Sequence, residues 1–448
     1  MARRTVAVAA LGTTLALISY TAPLATLEAI SADLGTGPSG RSWILSSMSL
    51  GLTALLLTAG TLADRFGRRA TFVTGAAVLA LTSAGGALAT GTAGFVAGRI
   101  GQGVGAAAMI ACSLALIGHA LPPGPQRARA TGLWGAALAA GIAAGPLLAG
   151  VLPWRWLYLL IAVAAVLLAV AARSLLVESS AARPRPVDLP GMVLLAAGLA
   201  VLLAGLTEAR RLPVGAGTVG LLVAGVLLLA GFVVVQFRSP HPMAGPELFR
   251  NPGLIAATVA SLATGLGIIS LSSYLPALMH GVHGDPPAVS ALLLLGWSGT
   301  GIVTALLARR ISERIGDSVR LGAGLLVMAG GQVGLLAAGG GSGVVLASLI
   351  VTGAATGVVN ASLGREAVAS VPADRAGTGS GINNTSRYLG AAIGVTVTSV
   401  LTAPTGGETA AQLLVGWHVA VLVAVGATIV GAVVALVCAR VAARSPVP

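Results

Sequence analysis

The sequence predicts an all-α polytopic membrane protein with fourteen transmembrane helices. Of its 448 residues, 56% are hydrophobic and 9% are charged, whereas a soluble domain carries about 25% charged residues. Apolar runs long enough to cross a bilayer recur along the whole chain. The polar stretches between them are too short for an independent soluble domain.

The apolar runs fall at residues 5–27, 43–62, 70–90, 92–117, 127–151, 157–175, 190–207, 215–236, 253–277, 287–309, 320–339, 343–363, 376–403 and 415–439. Arg3 and Arg4 precede the first run, as basic residues do in a signal peptide. The run is longer than the roughly 7–15 residues of a signal peptide's apolar region. We therefore expect a retained helix.

The arginines predict the orientation of the chain. All 26 basic residues are arginine, and the net charge is +13. With a cytoplasmic N-terminus, twenty arginines fall in inside loops and tails, and two, Arg99 and Arg387, fall within helices. The four in outside loops are Arg41, Arg155, Arg210 and Arg211. This asymmetry predicts a bacterial cell-membrane protein with both termini cytoplasmic, and it explains the positive charge without a nucleic-acid partner.

The chain contains an internal repeat at an offset of 249 residues. GTLADRFGRR at 60–69 shares an acid–Arg–apolar–Gly core with RRISERIGDS at 309–318. The aligned pairs are Asp64 with Glu313, Arg65 with Arg314, Gly67 with Gly316, Gly132 with Gly381, Gly141 with Gly390 and Gly145 with Gly394. The repeat predicts two six-helix bundles, at 1–180 and 251–448, with two inserted helices at 181–250. Such repeats are typical of transporters.

Four stretches carry a resemblance to a known family. They are GTLADRFGRR (60–69), RIGQGVGAA (99–107), GIAAGPLLAG (141–150) and SGINNTSRYLGAAIG (380–394). With them the chain resembles the major facilitator superfamily, and specifically its fourteen-helix drug:proton antiporters of the EmrB/QacA type. The resemblance runs from the first predicted helix to the last and implies the major facilitator fold.

The resemblance implies three groups of motif residues. A gate after the second helix comprises Gly60, Asp64, Arg65, Gly67, Arg68 and Arg69; the fourth-helix motif contains Arg99, Gln102 and Gly103; the fifth-helix antiporter motif contains Gly141, Gly145, Pro146 and Gly150. In the gate, ion pairs and a helix-end contact hold the halves together in one state. The alternative is that these charges only determine topology. Glycines around a helix-kinking proline allow close packing, so we expect the halves to close at Pro146.

The sequence offers one candidate for the proton carrier. The resemblance implies a first-helix acid near Arg99, but Ser19 occupies the aligned position. Glu28 is the one acid expected within a membrane helix and away from the cytoplasmic surface, which makes it the candidate proton site. The alternative is a solvated glutamate at the outer mouth of the first helix.

Several polar and aromatic side chains within the apolar runs are candidates for a substrate cavity. They are Tyr20, Gln102, Trp297, Asn360, Asn383, Asn384 and Arg387. Each one taken singly is equally consistent with packing or an interhelical hydrogen bond. Because the chain has no lysine, it has no GxxxxGK[ST] nucleotide loop, and no histidines are spaced for a metal. We expect no cofactor, no metal site and no enzymatic activity.

We expect a monomeric secondary transporter in the lipid bilayer that exports hydrophobic or amphipathic small molecules by proton antiport and alternating access. The fifth-helix motif is the basis for export, since in the family it marks antiporters. A neutral or anionic cargo fits at least as well as a cation, because no deep carboxylate is available to pair with one. The alternatives are uptake or facilitated diffusion of a metabolite by the same fold, and a non-transporting membrane receptor.

Overall fold

The computed structural model describes residues 2–122, 124–180, 186–210, 215–311, 315–402 and 410–444, and the regular structure in these ranges is helical. The α-helices are α1 Ala2–Thr21, α2 Pro23–Asp33, α3 Pro38–Phe66, α4 Arg68–Ala87, α5 Thr92–Ala120, α6 Pro125–Val151, α7 Trp154–Leu175, α8 Leu189–Ala209, α9 Ala216–Arg238, α10 Pro252–Thr264, α11 Ser270–His283, α12 Pro287–Leu307, α13 Asp317–Gly334, α14 Ser342–Ala369, α15 Ala376–Leu401 and α16 Ala410–Arg444.

Every predicted run coincides with a helix, which confirms the all-α polytopic fold. Within the described ranges, twelve helical stretches are long and apolar enough to cross a membrane. The other two runs are α12, whose apolar part is Leu292–Leu307, and α15. The chain is a multi-pass membrane protein.

The first and the ninth predicted helices are irregular. The first run is split into α1 and α2 at Pro23, and the ninth contains one π-helical stretch, Gly265–Ile269, between α10 and α11. Proline lacks the N–H that an α-helix needs, and π-helical turns often lie at functional sites. By contrast, α6 continues through Pro146 to Val151.

The repeat is visible in where helices begin. The 249-residue offset carries Pro38, the first residue of α3, onto Pro287 of α12, and Arg68 of α4 onto Asp317 of α13. The helices form two six-helix bundles that meet where α3 packs on α15 and where α12 packs on α6. Glu313 and Arg314, the repeat partners of Asp64 and Arg65, lie outside the described residues.

The two inserted helices differ in their surroundings. α8 packs on α9, α3 and α15, whereas α9 contacts mainly α8. Only Gly225 and Gln236 of α9 are buried, so this helix faces outward along almost its whole length. The boundary predicted at residue 180 adjoins residues 181–185, which lie outside the described ranges, so the division into 1–180, 181–250 and 251–448 stays a prediction.

Candidate functional site

The last turn of α3 contacts the first turn of α15 through Asp64. Its carboxylate accepts hydrogen bonds from the backbone N–H groups of Gly377 (2.9 Å) and Thr378 (2.8 Å) and from the Thr378 hydroxyl (3.1 Å). Unsatisfied N–H groups and the helix dipole favour an anion at this position. Arg68 Nη2 donates to the same carboxylate (2.9 Å) and to the Ala373 carbonyl (3.1 Å). We call this contact, made by Asp64, Arg68, Gly377 and Thr378, the Asp64 seal.

The Asp64 seal is buried because the two backbones approach closely. A Cβ at Gly60 would overlap the Gly377 carbonyl, and one at Gly377 would lie 2.8 Å from Asp64 Oδ1. Asp64 is only 6% exposed. Glycine at both positions therefore lets the carboxylate reach the end of α15 without intervening side chains or bulk water.

The remaining gate residues lie where α3 ends and α4 begins: Arg65 in the last turn of α3, Gly67 between the helices and Arg69 in the first turn of α4. Gly67 has a φ of +113°, a conformation that side chains rarely adopt. Glu178, in the segment after α7, accepts the N–H groups of Arg69 (3.0 Å) and Ala70 (3.1 Å). The Arg65 guanidinium lies 5.2 Å from the centre of the Phe66 ring. These contacts form within one bundle, whereas Asp64 and Arg68 act across the two.

Arg99 is buried and supports the break between α1 and α2. Its guanidinium donates to the carbonyls of Ser19 (2.5 Å) and Tyr20 (3.3 Å) and to Gln102 Oε1 (2.8 Å). Because Pro23 has no N–H, the Ser19 carbonyl lacks its helical donor, and Arg99 supplies one. Gln102 in turn donates to Ser83 (2.9 Å). The fourth-helix motif thus braces a helix break in this structure.

Gly103, the third residue of that motif, packs against α3. A Cβ there would lie 2.6 Å from the Leu52 nitrogen. The close approach of α5 to α3 therefore requires glycine at this position.

The glycines of α6 lie on two faces. A Cβ at Gly141 would lie 2.6 Å from the Thr14 carbonyl, and one at Gly145 would overlap the Thr21 hydroxyl, so both pack on α1 of the same bundle. Gly132 faces the other bundle, where its Cβ would lie 2.8 Å from the Ala305 carbonyl. In this structure the close backbone contact of α6 with the other bundle lies nearer its start, at Gly132, and closure of the halves around Pro146 stays a prediction. Gly150 has no neighbour within 4 Å.

A cavity of about 190 Å³ lies between the bundles, displaced along α15 from the Asp64 seal. Its lining comes from both bundles and from the end of α8. It includes Tyr20, Ser46, Pro146, Arg210, Trp297 and Ala392. Tyr20 accepts a hydrogen bond from Ser49 (3.0 Å) and Trp297 donates to Thr356 (3.4 Å). The arrangement is a pocket at the interface of two bundles that are held closed at the other end.

The sequence profile of the Major Facilitator Superfamily matches residues 9–395. The chain belongs to the Major Facilitator Superfamily. Three relatives are named for resistance or export. The multidrug resistance protein Stp of Mycobacterium tuberculosis is 30% identical over 83% of this chain and 70% of its own length. The tetracenomycin C resistance and export protein of Streptomyces glaucescens is 30% identical over 85% and 72%, and the cephamycin export protein CmcT of Amycolatopsis lactamdurans is 31% identical over 84% and 80%.

Solved structures support the same fold. The human organic anion transporter MFSD10 aligns with a TM-score of 0.68 at 19% identity, covering 97% of this chain and 99% of that one. The proton:xylose symporter XylE aligns with a TM-score of 0.69 at 16% identity, covering 96% and 94%. At these identities the likeness concerns the superfamily fold alone.

Five of the residues expected at the substrate cavity do not line it: Gln102, Asn360, Asn383, Asn384 and Arg387. Along α15, the last three lie between the Asp64 seal and the cavity residue Ala391. Arg387 is 3% exposed, and neither its Nε nor its Nη2 has a hydrogen-bond partner in the described part of the chain. Asn384 Nδ2 donates to the Ser380 carbonyl (3.0 Å) and Asn383 accepts from Ser261. Asn383, Asn384 and Arg387 thus form a buried polar layer between the Asp64 seal and the cavity.

The charged residue of the cavity, Arg210, was not singled out from the sequence. Arg210, placed in an outside loop, instead projects between the bundles, where Nη1 donates to Ser46 of α3 (2.9 Å) and Nε donates to Thr396 of α15 (3.4 Å). The inserted helices have no repeat partner, so the repeat gave no signal for this residue. The available sequence signal was the position of Arg210 directly after α8.

Glu28, the candidate proton site, lies on the surface of α2. Its side chain is 77% exposed and forms an ion pair of 2.8 Å with Arg41. The buried setting on which its candidacy depended is absent in this conformation.

Proposed function

We propose that this superfamily member is a secondary transporter that exports hydrophobic or amphipathic small molecules by alternating access. The observation that carries the proposal is a cavity between two bundles whose opposite end is closed by the Asp64 seal. A contact made across the bundles in one state biases a two-state equilibrium. The mostly apolar lining suits an apolar or amphipathic cargo.

Export, rather than uptake, is supported by two independent lines. The fifth-helix motif is present, and the relatives with about 30% identity are named for resistance or export. We place the Asp64 seal at the cytoplasmic side of a bacterial cell membrane, because most arginines then lie inside. The cavity is then closed to the cytoplasm in this state.

We further propose that protons drive the export, as the resemblance to the fourteen-helix antiporters implies. The gate and antiporter motifs support this coupling, whereas Glu28 is exposed and offers it no geometric support. The proton carrier is therefore a separate question from the direction of transport.

The experiment is accumulation of tetracenomycin C and of puromycin by inverted membrane vesicles energised with an imposed proton gradient. We expect accumulation of at least one of them that a protonophore abolishes, relative to vesicles without the protein. Accumulation that survives the protonophore would contradict proton coupling but not export. Accumulation only by right-side-out vesicles would favour the uptake alternative, and no flux in either direction would favour a non-transporting receptor.

A further inference from the structure

The end of α8 brings a positive charge into the cavity. Arg210 follows α8 directly and is the one charged residue in the cavity lining within the described part of the chain. Its guanidinium reaches α3 on one side through Ser46 and α15 on the other through Thr396. An inserted helix thus contributes to a pocket otherwise built by the two bundles.

Among the described residues, no carboxylate neutralises the charge of Arg210. Neither of its hydrogen bonds goes to a carboxylate, and no ion pair of Arg210 occurs among the described residues. The nearest acid in sequence, Glu208, accepts from the Trp43 indole N–H (2.6 Å) and does not line the cavity. The two hydroxyl partners use two of the five guanidinium donors.

A guanidinium in a largely apolar pocket is stabilised by an anion that accepts its remaining donors. Carboxylate and sulfonate groups present two oxygens at the spacing of the guanidinium fork. The other polar side chains of the lining, such as Ser49 and Ser298, are uncharged, and Leu24, Ile142, Leu203 and Leu294 contribute apolar surface. The pocket therefore matches a molecule with an apolar body and one acidic group.

We propose that Arg210 is the cargo-recognising cation of the cavity and that the cargo is an apolar organic anion. The inference rests on the proposed transport function and narrows its substrate class. The inserted helix pair would then supply a binding group, in addition to covering the flank of the bundles. Arginine is required rather than lysine, because the fork binds two oxygens at once.

The test uses two probes that differ mainly by one acidic group: 8-anilino-1-naphthalenesulfonate and the neutral N-phenyl-1-naphthylamine. Their binding to the full chain in lipid nanodiscs is measured by fluorescence, with binding to empty nanodiscs subtracted. We expect the protein to bind the sulfonate about tenfold more tightly than the neutral amine, since a charge-assisted bidentate contact typically supplies a factor of this size.

The variants separate recognition from folding. Arg210→Gln should weaken sulfonate binding about tenfold and leave neutral-probe binding within about twofold, and Arg210→Lys should retain part of the preference. Arg41→Gln, which removes an exposed arginine outside the cavity, is the matched control and should change neither. Elution of each variant as a single species in gel filtration verifies folding.

Three results would overturn the inference: a wild-type protein without preference for the sulfonate, an Arg210→Gln variant that keeps it, or equal loss of both probes. Because binding is measured without transport, these results are independent of the vesicle experiment. Absence of flux with intact sulfonate preference would overturn the transport proposal and leave the anion site standing.

Discussion

The two bundles use the same backbone contacts with different side chains. Gly141 and Gly145 seat α6 against α1, and their repeat partners Gly390 and Gly394 seat α15 against α10 and the π-helical stretch. Across the interface, Gly132 of α6 meets Ala305 of α12. The repeat partners of those two residues, Gly381 and Leu56, meet in the same way.

The side chains between these contacts are not equivalent. Where α15 has Asn383 and Arg387, the offset places Trp134 and Leu138 on α6. Trp134 packs in an apolar core and donates to Ser113 (2.8 Å). Matched glycines therefore preserve two similar interfaces, while the buried polar side chains and the Asp64 seal lie at α15. We expect the backbone contacts to permit movement and the α15 side chains to bias it.

The largest effect is expected from filling the glycine contact in α6. Gly145→Leu places a side chain where even a Cβ would overlap the Thr21 hydroxyl, and overpacking of this kind costs about 1–3 kcal/mol or more. Vesicle flux should fall about tenfold or more while the protein still inserts, as judged by immunoblot of the membrane fraction. Gly150→Leu is the matched control, since its Cβ meets open space. Equal flux from the two variants would contradict the packing argument.

The next effect concerns the Asp64 seal. Asp64→Asn removes a charge that accepts three hydrogen bonds from α15, and charged hydrogen bonds contribute about 1.5–3 kcal/mol each. In a background with Cys112→Ala and Cys438→Ala, we expect a cysteine at Ser380 to react about tenfold faster with a membrane-impermeant maleimide applied to inverted vesicles.

Glu178→Gln provides the control for this experiment, because Glu178 also accepts helix N-terminal amides but within one bundle and at a half-exposed site. Its labelling rate should stay near that of the unchanged chain. A slow rate for Asp64→Asn as well would mean that the glycine contacts alone keep this end closed.

A smaller effect is expected from making α15 resemble α6. Arg387→Leu introduces the residue that the repeat places at 138 and removes a buried cation, two of whose nitrogens have no hydrogen-bond partner among the described residues. Replacing buried charges by apolar residues is often stabilising by about 1–4 kcal/mol, so the melting temperature should rise by about 2 °C or more. Flux should fall about threefold, since the polar layer must admit cargo when the seal opens.

Leu138→Met, a nearly volume-conserving change on the α6 side, should leave both quantities almost unchanged. A lower melting temperature for Arg387→Leu would show that the guanidinium is stabilising as it stands, and the asymmetry of the two helices would then be structural.

The smallest effect is expected at Glu28. An exposed ion pair contributes about 0–1 kcal/mol, and the Glu28 carboxylate is 77% exposed. Glu28→Gln should therefore leave protonophore-sensitive flux within about twofold of the unchanged chain. Complete loss of that flux at normal protein level would instead identify Glu28 as the proton carrier.

Hydropathy predicted the membrane helices, and the repeat predicted that Gly132 and Gly381 occupy equivalent positions, because both signals recur along the chain. They did not predict which glycine face of α6 meets the other bundle. Because each residue of a helix is rotated by about 100° from the one before, Gly132 and Gly145 lie on different faces of α6. Sequence spacing does not show which of these faces is turned towards the other bundle. Arg210 was missed for a related reason: an arginine just past an apolar run has the same sequence pattern whether it faces water or a cavity.

The Arg99 contact at Ser19 has a consequence for how this chain tolerates mutation. The acceptor is a main-chain carbonyl exposed by Pro23, and every residue type placed at position 19 offers that same oxygen. Selection acting on this bond therefore falls on Pro23 and Arg99, and a change of side chain at the buried position 19 does not remove the acceptor. A carbonyl is also not protonated near neutral pH, so this hydrogen bond does not depend on the proton gradient across the membrane.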